Sequence, residues 1–582
     1  MKSLPLLLVL AAPPLALQLA APAPRLDADG VEYFSHLRSL YFDRDLDFAN
    51  EFEHFGILDR YDKIRPTVTG HRRTIFSVGP ALLWLPFYAA GDLWARASGS
   101  VADGYSPAHI RAVTLGSLAY GILGLWLLHG VLTTLHDRHV AGWTLVLLLY
   151  ATFLYWYVVY EPVMSHAGSF FLSAAVLRVW WAGRQGFDLR RAAFLGLLIG
   201  LAATVRWQNG VLLLLPAATL LARLRTGPLA ALRTGAWVLG WFLLGAAPQM
   251  LAWQAIFGSP LLADPPHGRD FLRLGHPFLL ETLFSSRHGL LFWTPVLWGG
   301  LLGWPRLLRR DRFAGLALAA PLLVMGYVNV CSGDWWAGGS FSNRRFDSVL
   351  PMLALGLAEA VAALRSWASR RPGRVLAAGA ALLSLWNLLF MEQYRRVLIP
   401  RDATVSFSQV AGLGAGILAE WVGSPVAWPA NWIFAWRLGL PPSAYDLMVG
   451  KYLFYRQNNL GGVIDIGASP ETDAAVLAEG WSVRRPCGDS VCRNVEGQGR
   501  LFAGLDVPET LDVTVRAAGE GGLALSVNGD HVADLPLSRE LGELRVRVPG
   551  SRWRRELNEI AFSPDPGGWA QIDRVVFRRL AP

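Results

Sequence analysis

From residue 3 to about residue 391, apolar segments follow one another near 3–24, 74–95, 110–128, 140–160, 164–182, 192–222, 235–256, 289–305, 313–331, 346–364 and 375–391. A helix of about 20 such residues crosses the roughly 30 Å hydrocarbon core and pairs its own backbone groups while doing so. Segment 192–222 is too long for one crossing and is broken by "RWQNG", so it reads as a hairpin of two. The recurrence restricts this part of the chain to a mainly α, polytopic transmembrane bundle of about 11–13 spans. Charge agrees: 17% of the 582 residues are charged, against about 25% in soluble chains.

The net charge of +9 is almost entirely arginine, the only lysines being Lys2, Lys63 and Lys451. In a soluble chain this would point to nucleic acid. Here the arginines sit in short loops between spans, where they orient the protein and imply no nucleic-acid partner. Loops 184–191, 223–233, 306–312 and 365–374 are arginine-rich and therefore expected on the cytoplasmic side. Loops 160–165, 206–209, 257–288 and 332–345 then face outward, as does the tail after 391. The location expected is the bacterial inner membrane, with the C-terminal domain extracytoplasmic. The first run reads as an uncleaved signal-anchor, because many spans follow, although "LAAPA" would suit a cleavage site. Three simple crossings between loop 25–73 and Glu161 would put Glu161 inside, whereas the arginine bias puts it outside. One segment between 74 and 160 is therefore expected to be re-entrant or broken. Pro80 and Pro86 are candidate breakers, and 141–160 is a short alternative.

Past residue 391 the composition changes. Residues 392–459 form a Trp- and Pro-rich linker ("SPVAWPANWIFAWRLGLPPSAYD") suited to the membrane interface. Residues 460–582 alternate apolar and polar side chains in short stretches, with Asn528-Gly529 as a hairpin turn. This predicts a soluble β-sandwich-like domain after a membrane domain spanning 1–391. Cys487 and Cys492 in "CGDSVC" suit a disulfide clip in an oxidising compartment better than zinc.

Four polar clusters fall in the outward loops. The first, "RLDADGVEYFSHLR", holds Asp27, Asp29, Glu32, Tyr33, His36 and Arg38 at the mouth of the first span. The later acids Asp43, Asp45 and Asp47 suit a hydrated loop edge. Asp29, beside apolar surface, is the candidate general base, with Asp27 as a possible partner. The second cluster, "YEPVMSHAGSFF", places Glu161 and His166 on the lip of two spans, where ionisable groups are expensive. With Asp29 they could hold a divalent metal ion, although helix-end packing would also account for them. The third is Arg206 and Asn209 in "RWQN". The fourth, "CSGDWWAGGSFSNRRF", offers Asp334, Trp335, Trp336, Arg344 and Arg345. An arginine at a membrane surface suits a phosphate ligand, or a lipid headgroup. The paired tryptophans suit a sugar face or a lipid chain. Arg287 and His288 share the same layer.

"DADGVEYF" resembles the acidic first external loop of the GT-C glycosyltransferases related to protein mannosyltransferases and aminoarabinose transferases. Asp29 and Tyr33 match that loop's acid-to-aromatic spacing, whereas Gly30 stands where a Glu is common. The family's second acid would fall at Glu161 or be replaced by His166. The resemblance covers roughly residues 1–390 and leaves out the β domain. It implies transfer of a sugar from a polyprenyl-phosphate donor to a glycan, lipid or protein acceptor on the extracytoplasmic face, with inversion. In that reading Asp29 is the base, and Arg206, Arg344 or Arg345 steadies the departing lipid phosphate. The rival readings are a transporter or flippase for a lipid-linked or small polar substrate, which intramembrane Arg206 would also fit, and a non-enzymatic envelope assembly protein.

Overall fold

The computed structural model describes residues 4–21, 26, 28–59, 66–261, 271–368, 370–445, 463–467, 473, 476–505 and 508–579. The chain divides into two compact units, Met1–Gly414 and Ala415–Pro582.

The first unit is helical. Among the described residues, six helices are long and apolar enough to cross a membrane: Pro107–Leu132, Pro228–Phe257, Arg312–Val330, Arg344–Trp367, Pro372–Arg395 and Phe407–Ala427. The chain is an integral membrane protein. Shorter helices fill further hydrophobic segments, including Leu4–Ala20, Arg138–Tyr150, His166–Gly183, Leu189–Val205 and Leu297–Arg310. Segment 192–222 is a hairpin of two: Leu189–Val205 stops at Arg206, and a 3-10 turn, Trp207–Leu213, leads into Leu214–Arg223. Small residues let these helices approach closely. A Cβ on Gly200 would lie 2.8 Å from the Gly245 Cα, and one on Gly303 would overlap the Gly356 carbonyl oxygen.

Ion pairs sort the loops into two ends. At one end Arg184 pairs with Asp311 at 3.3 Å and Arg365 pairs with Asp137. There too Arg310 reaches Glu359 at 2.8 Å, beside His136 at 3.2 Å. At the other end Arg344 pairs with Asp29 at 2.9 Å, and the Tyr33 hydroxyl lies 3.1 Å from Ser165. Loop 25–73 and the turn after Glu161 thus share an end, so an even number of crossings separates them.

Three helices lie between, and Gly79–Ala97 is the one that does not need to cross. It is unbroken: Pro80 sits in its first turn, where a missing N–H costs nothing, and Pro86 is carried inside it. Neither proline breaks the segment, contrary to the sequence expectation. The helix instead lies lengthwise on Ala28–Arg38 and its continuation Ser39–Asp43, which is too polar to span. Phe76, just before it, and Trp84 meet the Tyr33 ring at 4.9 and 6.5 Å; Tyr88 meets Phe34 at 5.8 Å; and the Tyr41 hydroxyl donates to Asp92 at 3.1 Å. These residues build their own aromatic core, with Phe48, Phe52 and Ile57.

Among its described residues the second unit holds ten antiparallel strands: β1 Val463–Asp465, β2 Arg485–Cys487, β3 Ser490–Asn494, β4 Gly499–Leu505, β5 Leu511–Glu520, β6 Gly522–Val527, β7 Asp530–Pro536, β8 Gly542–Val548, β9 Glu556–Pro564 and β10 Trp569–Arg579. One sheet runs β2-β3-β10-β5-β8 with β1 beside β10, and the other runs β4-β9-β6-β7. Leu501, Leu523 and Phe562 of one sheet and Val513, Val515, Ile572 and Val575 of the other share a core, as a sandwich requires. Asn528 and Gly529 join β6 to β7 with φ of 55° and 87°, the paired positive values that the Asn-Gly signal predicts. Cys487 and Cys492 are disulfide-bonded across the β2–β3 hairpin.

Candidate active site

A cavity of about 410 Å³ opens in the helical unit at the end that holds loop 25–73. Asp29, Tyr33, Arg206, Asp334, Arg344 and Arg345 line its polar part. Ile75, Phe76, Val205, Trp207, Trp253, Phe271, Leu272 and Val328 make an apolar wall, and Trp207 is 58% exposed on the protein surface. Six residues named from three separate stretches of sequence therefore face one space. Asp27 lies outside the described residues.

Each polar group is held by a feature of its own segment. Asp29 stands in the first turn of the Ala28–Arg38 helix, where the positive helix end favours a carboxylate. Gly30, next to it, touches the Val163 backbone: a Cβ there would lie 2.9 Å from the Val163 oxygen. A glycine at position 30 is thus required by this approach. One turn on, Tyr33 is buried, and burial pushes its hydroxyl above the usual tyrosine range against the opposing pull of Arg206. It remains a neutral hydrogen-bond donor, facing Ser165.

Arg206 sits where the 192–222 hairpin turns. Its φ of −148° and ψ of 117° break the helix and send the side chain across to the neighbouring span start. Its Nη1 donates to Ser165 Oγ at 3.1 Å and lies 3.3 Å from His166 Nδ1, while its Nε is 3.7 Å from Asp347 Oδ2. His166 Nδ1 and Asp347 Oδ2 are 2.8 Å apart. An ionised carboxylate only accepts, so that nitrogen carries the proton and points at Asp347. Asp347 also accepts the Ser348 N–H at 2.7 Å and is buried. It is the counter-charge that keeps Arg206 in place. Sequence reasoning missed Asp347 and Ser165; the available signal was an acid entering a span directly after "NRRF".

Arg344 and Arg345 open the Arg344–Val349 turn and point to different acids. Arg344 pairs with Asp29, and Glu161, the residue closing the turn before His166, lies within its electrostatic range. Arg345 binds Asp334 through its side chain at 2.5 Å and its backbone carbonyl at 3.0 Å. Trp335 and Trp336 do not line the cavity. Trp336 lies under the Arg287 guanidinium at 3.8 Å, and Trp335 packs against Trp336 and Phe278 at 5.7 and 6.4 Å. His288 is buried, stacks on Trp293 at 4.6 Å and donates Nε2–H to the Arg401 carbonyl at 2.8 Å.

The donor set bears on a metal ion. Among the described residues no three His, Cys, Asp or Glu side chains converge as ligands. Asp29 already faces one guanidinium, and His166 turns its protonated nitrogen to Asp347 beside a second. Two fixed cations oppose a divalent ion there. The described residues do not fit a resident metal.

No family model and no curated protein matches the chain. Solved structures similar to it include the arabinosyltransferase EmbB from Mycobacterium smegmatis, at 13% identity over 98% of this chain and 64% of that one, TM-score 0.39. The Archaeoglobus fulgidus oligosaccharyltransferase is similar at 13% identity over 69% of this chain and 58% of that one, TM-score 0.42. The AglB oligosaccharyltransferase of the same organism, in complex with an inhibitory peptide and a dolichol-phosphate, is similar at 12% identity over 81% and 59%, TM-score 0.37. The chain thus spans less than two thirds of each of these proteins.

Proposed function

We propose that this protein is a membrane glycosyltransferase of the GT-C type, moving a sugar from a polyprenyl-phosphate donor to an acceptor on the extracytoplasmic face. The observation that carries the proposal is a cavity in which the carboxylates Asp29 and Asp334 and three arginines stand against an apolar wall. A lipid-linked sugar phosphate has the matching parts. Its prenyl chain suits the wall of Trp207, Trp253 and Val328, and its phosphate suits guanidinium groups. Its sugar would then lie toward Asp29.

In the proposed reaction the acceptor O–H attacks the anomeric carbon while its proton passes to the Asp29 carboxylate. The bond from that carbon to the phosphate oxygen breaks, and its electron pair leaves with the lipid phosphate. Attack opposite the leaving group inverts the centre. Arg206, fixed by Asp347, and Arg344 stabilise the charge growing on the phosphate. At rest Arg344 holds Asp29. When the phosphate draws Arg344 away, the carboxylate is freed for the proton, so donor binding precedes base activation. Arg345, tied to Asp334, borders the sugar.

The test is transfer by the purified full chain in lipid nanodiscs with a panel of radiolabelled polyprenyl-phosphate sugars, with Asp29→Asn beside wild type. Transfer by wild type and its loss in the variant, with donor still bound, is expected. Absence of transfer from every donor, or full transfer by Asp29→Asn, overturns the proposal. Movement of donor across the bilayer without transfer would favour the transporter reading.

A further inference from the structure

The second unit carries an apolar face that the proposed chemistry does not use. Helix Ala430–Leu438 is two-sided. Phe434 and Leu438 are buried on its inner side with Phe502 of β4 and Leu557 of β9, and Phe434 meets Tyr445 edge-on at 5.5 Å. The inner side fixes the helix to the sandwich. Its outer side shows Trp432, Ile433 and Trp436, the last 86% exposed, and the preceding turn adds Val426 and Trp428. Arg437 is the only charged residue between 421 and 445. A soluble domain does not leave such an aromatic group in water without a partner.

We infer that this face is a bilayer-interface anchor through which the sandwich unit docks on the lipid surface. Lipid is favoured over a protein partner by three observations. The chain is already held in a membrane by its spans. The face continues the apolar run Phe407–Ala427, whose residues are mostly unburied and themselves call for a lipid environment. The side chains displayed are chiefly tryptophans, whose flat apolar ring and single N–H suit the headgroup boundary. The Trp432 N–H is already bonded to the Val422 carbonyl at 3.0 Å. Among the described residues Trp428 and Trp436 have no acceptor inside the protein, which leaves both N–H groups for lipid carbonyls. With so few charges, the face takes a zwitterionic surface as readily as an anionic one.

The test is depth measurement by electron paramagnetic resonance on the full chain in phosphatidylcholine nanodiscs. Single nitroxide labels replace Trp436 and Trp428 in a Cys331→Ser background, which leaves only the disulfide-bonded cysteines. Label at Leu382, 69% exposed in the middle of a span, calibrates lipid. Label at Arg539, on the sandwich surface, calibrates water. The expected ratio of oxygen to aqueous nickel accessibility at 436 and 428 lies well above that at 539 and approaches that at 382. A ratio equal to that at 539 overturns the inference. So does exclusion of both reagents with an immobilised spectrum, which would mean a protein covers the face.

Discussion

The Asp29–Arg344 pair makes a quantitative demand on the proposed mechanism. At 2.9 Å the attraction is about 1.4 kcal/mol at the dielectric of water and about 6 kcal/mol at an effective value of about 20. The two side chains are 27% and 19% exposed, so the water-screened end of that range governs stability. Removing either partner should therefore cost at most about 1 kcal/mol of folding free energy. Activity should respond differently. Asp29→Asn removes a general base and is expected to slow transfer about 10²–10⁴-fold. Arg344→Gln removes a charge-assisted bond to the phosphate, about 1.5–3 kcal/mol or roughly 10–150-fold. If the residues acted independently, the double variant would show the product of the two losses. Because each engages the other at rest and both serve one transition state, the double variant should fall short of that product by about 0.5–3 kcal/mol. The assay is single-turnover transfer at saturating donor for the four proteins, with thermal unfolding measured in parallel. Strict multiplicativity refutes the hand-over of Arg344. Activity losses that merely follow unfolding temperature refute a chemical role for either residue.

Three further outcomes follow from other contacts. Asp347→Asn leaves the Arg206 guanidinium without its buried counter-charge, at a cost of about 2–5 kcal/mol in donor affinity or rate, and Arg206→Lys should not rescue it; transfer rate against donor concentration reads this. Gly303→Val drives a side chain into the Gly356 carbonyl where Leu297–Arg310 packs on Leu350–Trp367, so the helical unit should lose folded yield by size-exclusion chromatography, whereas Gly379→Val, which faces open space, should not. Beside the Ala28–Arg38 helix, burial raises the Glu51 carboxyl to about 7 despite its bond with Arg38. A folded-state value above the unfolded one means that this contribution is full below about pH 4.5 and is lost as pH rises through about 7. Unfolding temperature should fall over that window in wild type and less so in Glu51→Gln.

The sequence made the bundle legible because a bilayer imposes run length, and it made the sandwich legible because period-two alternation and Asn528-Gly529 act locally. It also made most of the cavity's polar lining legible, since Asp29, Arg206, Asp334, Arg344 and Arg345 are each costly where they stand in the chain. What stayed hidden depends on contacts between distant residues. The partner of His166 is 181 residues away at Asp347, and that of Tyr33 is 132 residues away at Ser165. No spacing rule reaches so far. The tryptophan pair misled for the converse reason: Trp335 and Trp336 are conspicuous in sequence, yet Arg287 and Phe278 already cover them.

The helix Gly79–Ala97 shows how a local feature and a global constraint can point to the same segment for different reasons. Its prolines drew attention as breakers, but a proline in the first turn removes an N–H that has no partner anyway, and Pro86 leaves the helix intact. What excludes a crossing is chemistry along its side. Asp92, buried and bonded to Tyr41, Arg96 and His109, would have to be carried into the hydrocarbon with its partners. The helix presents Trp84 and Tyr88 to Tyr33 and Phe34 and so supports the Asp29 helix from behind. The same placement returns Glu161 to the end that holds Asp29. An even number of crossings between loop 25–73 and Glu161 thus goes with a helix that packs against the candidate base's own helix and is not counted among the spans.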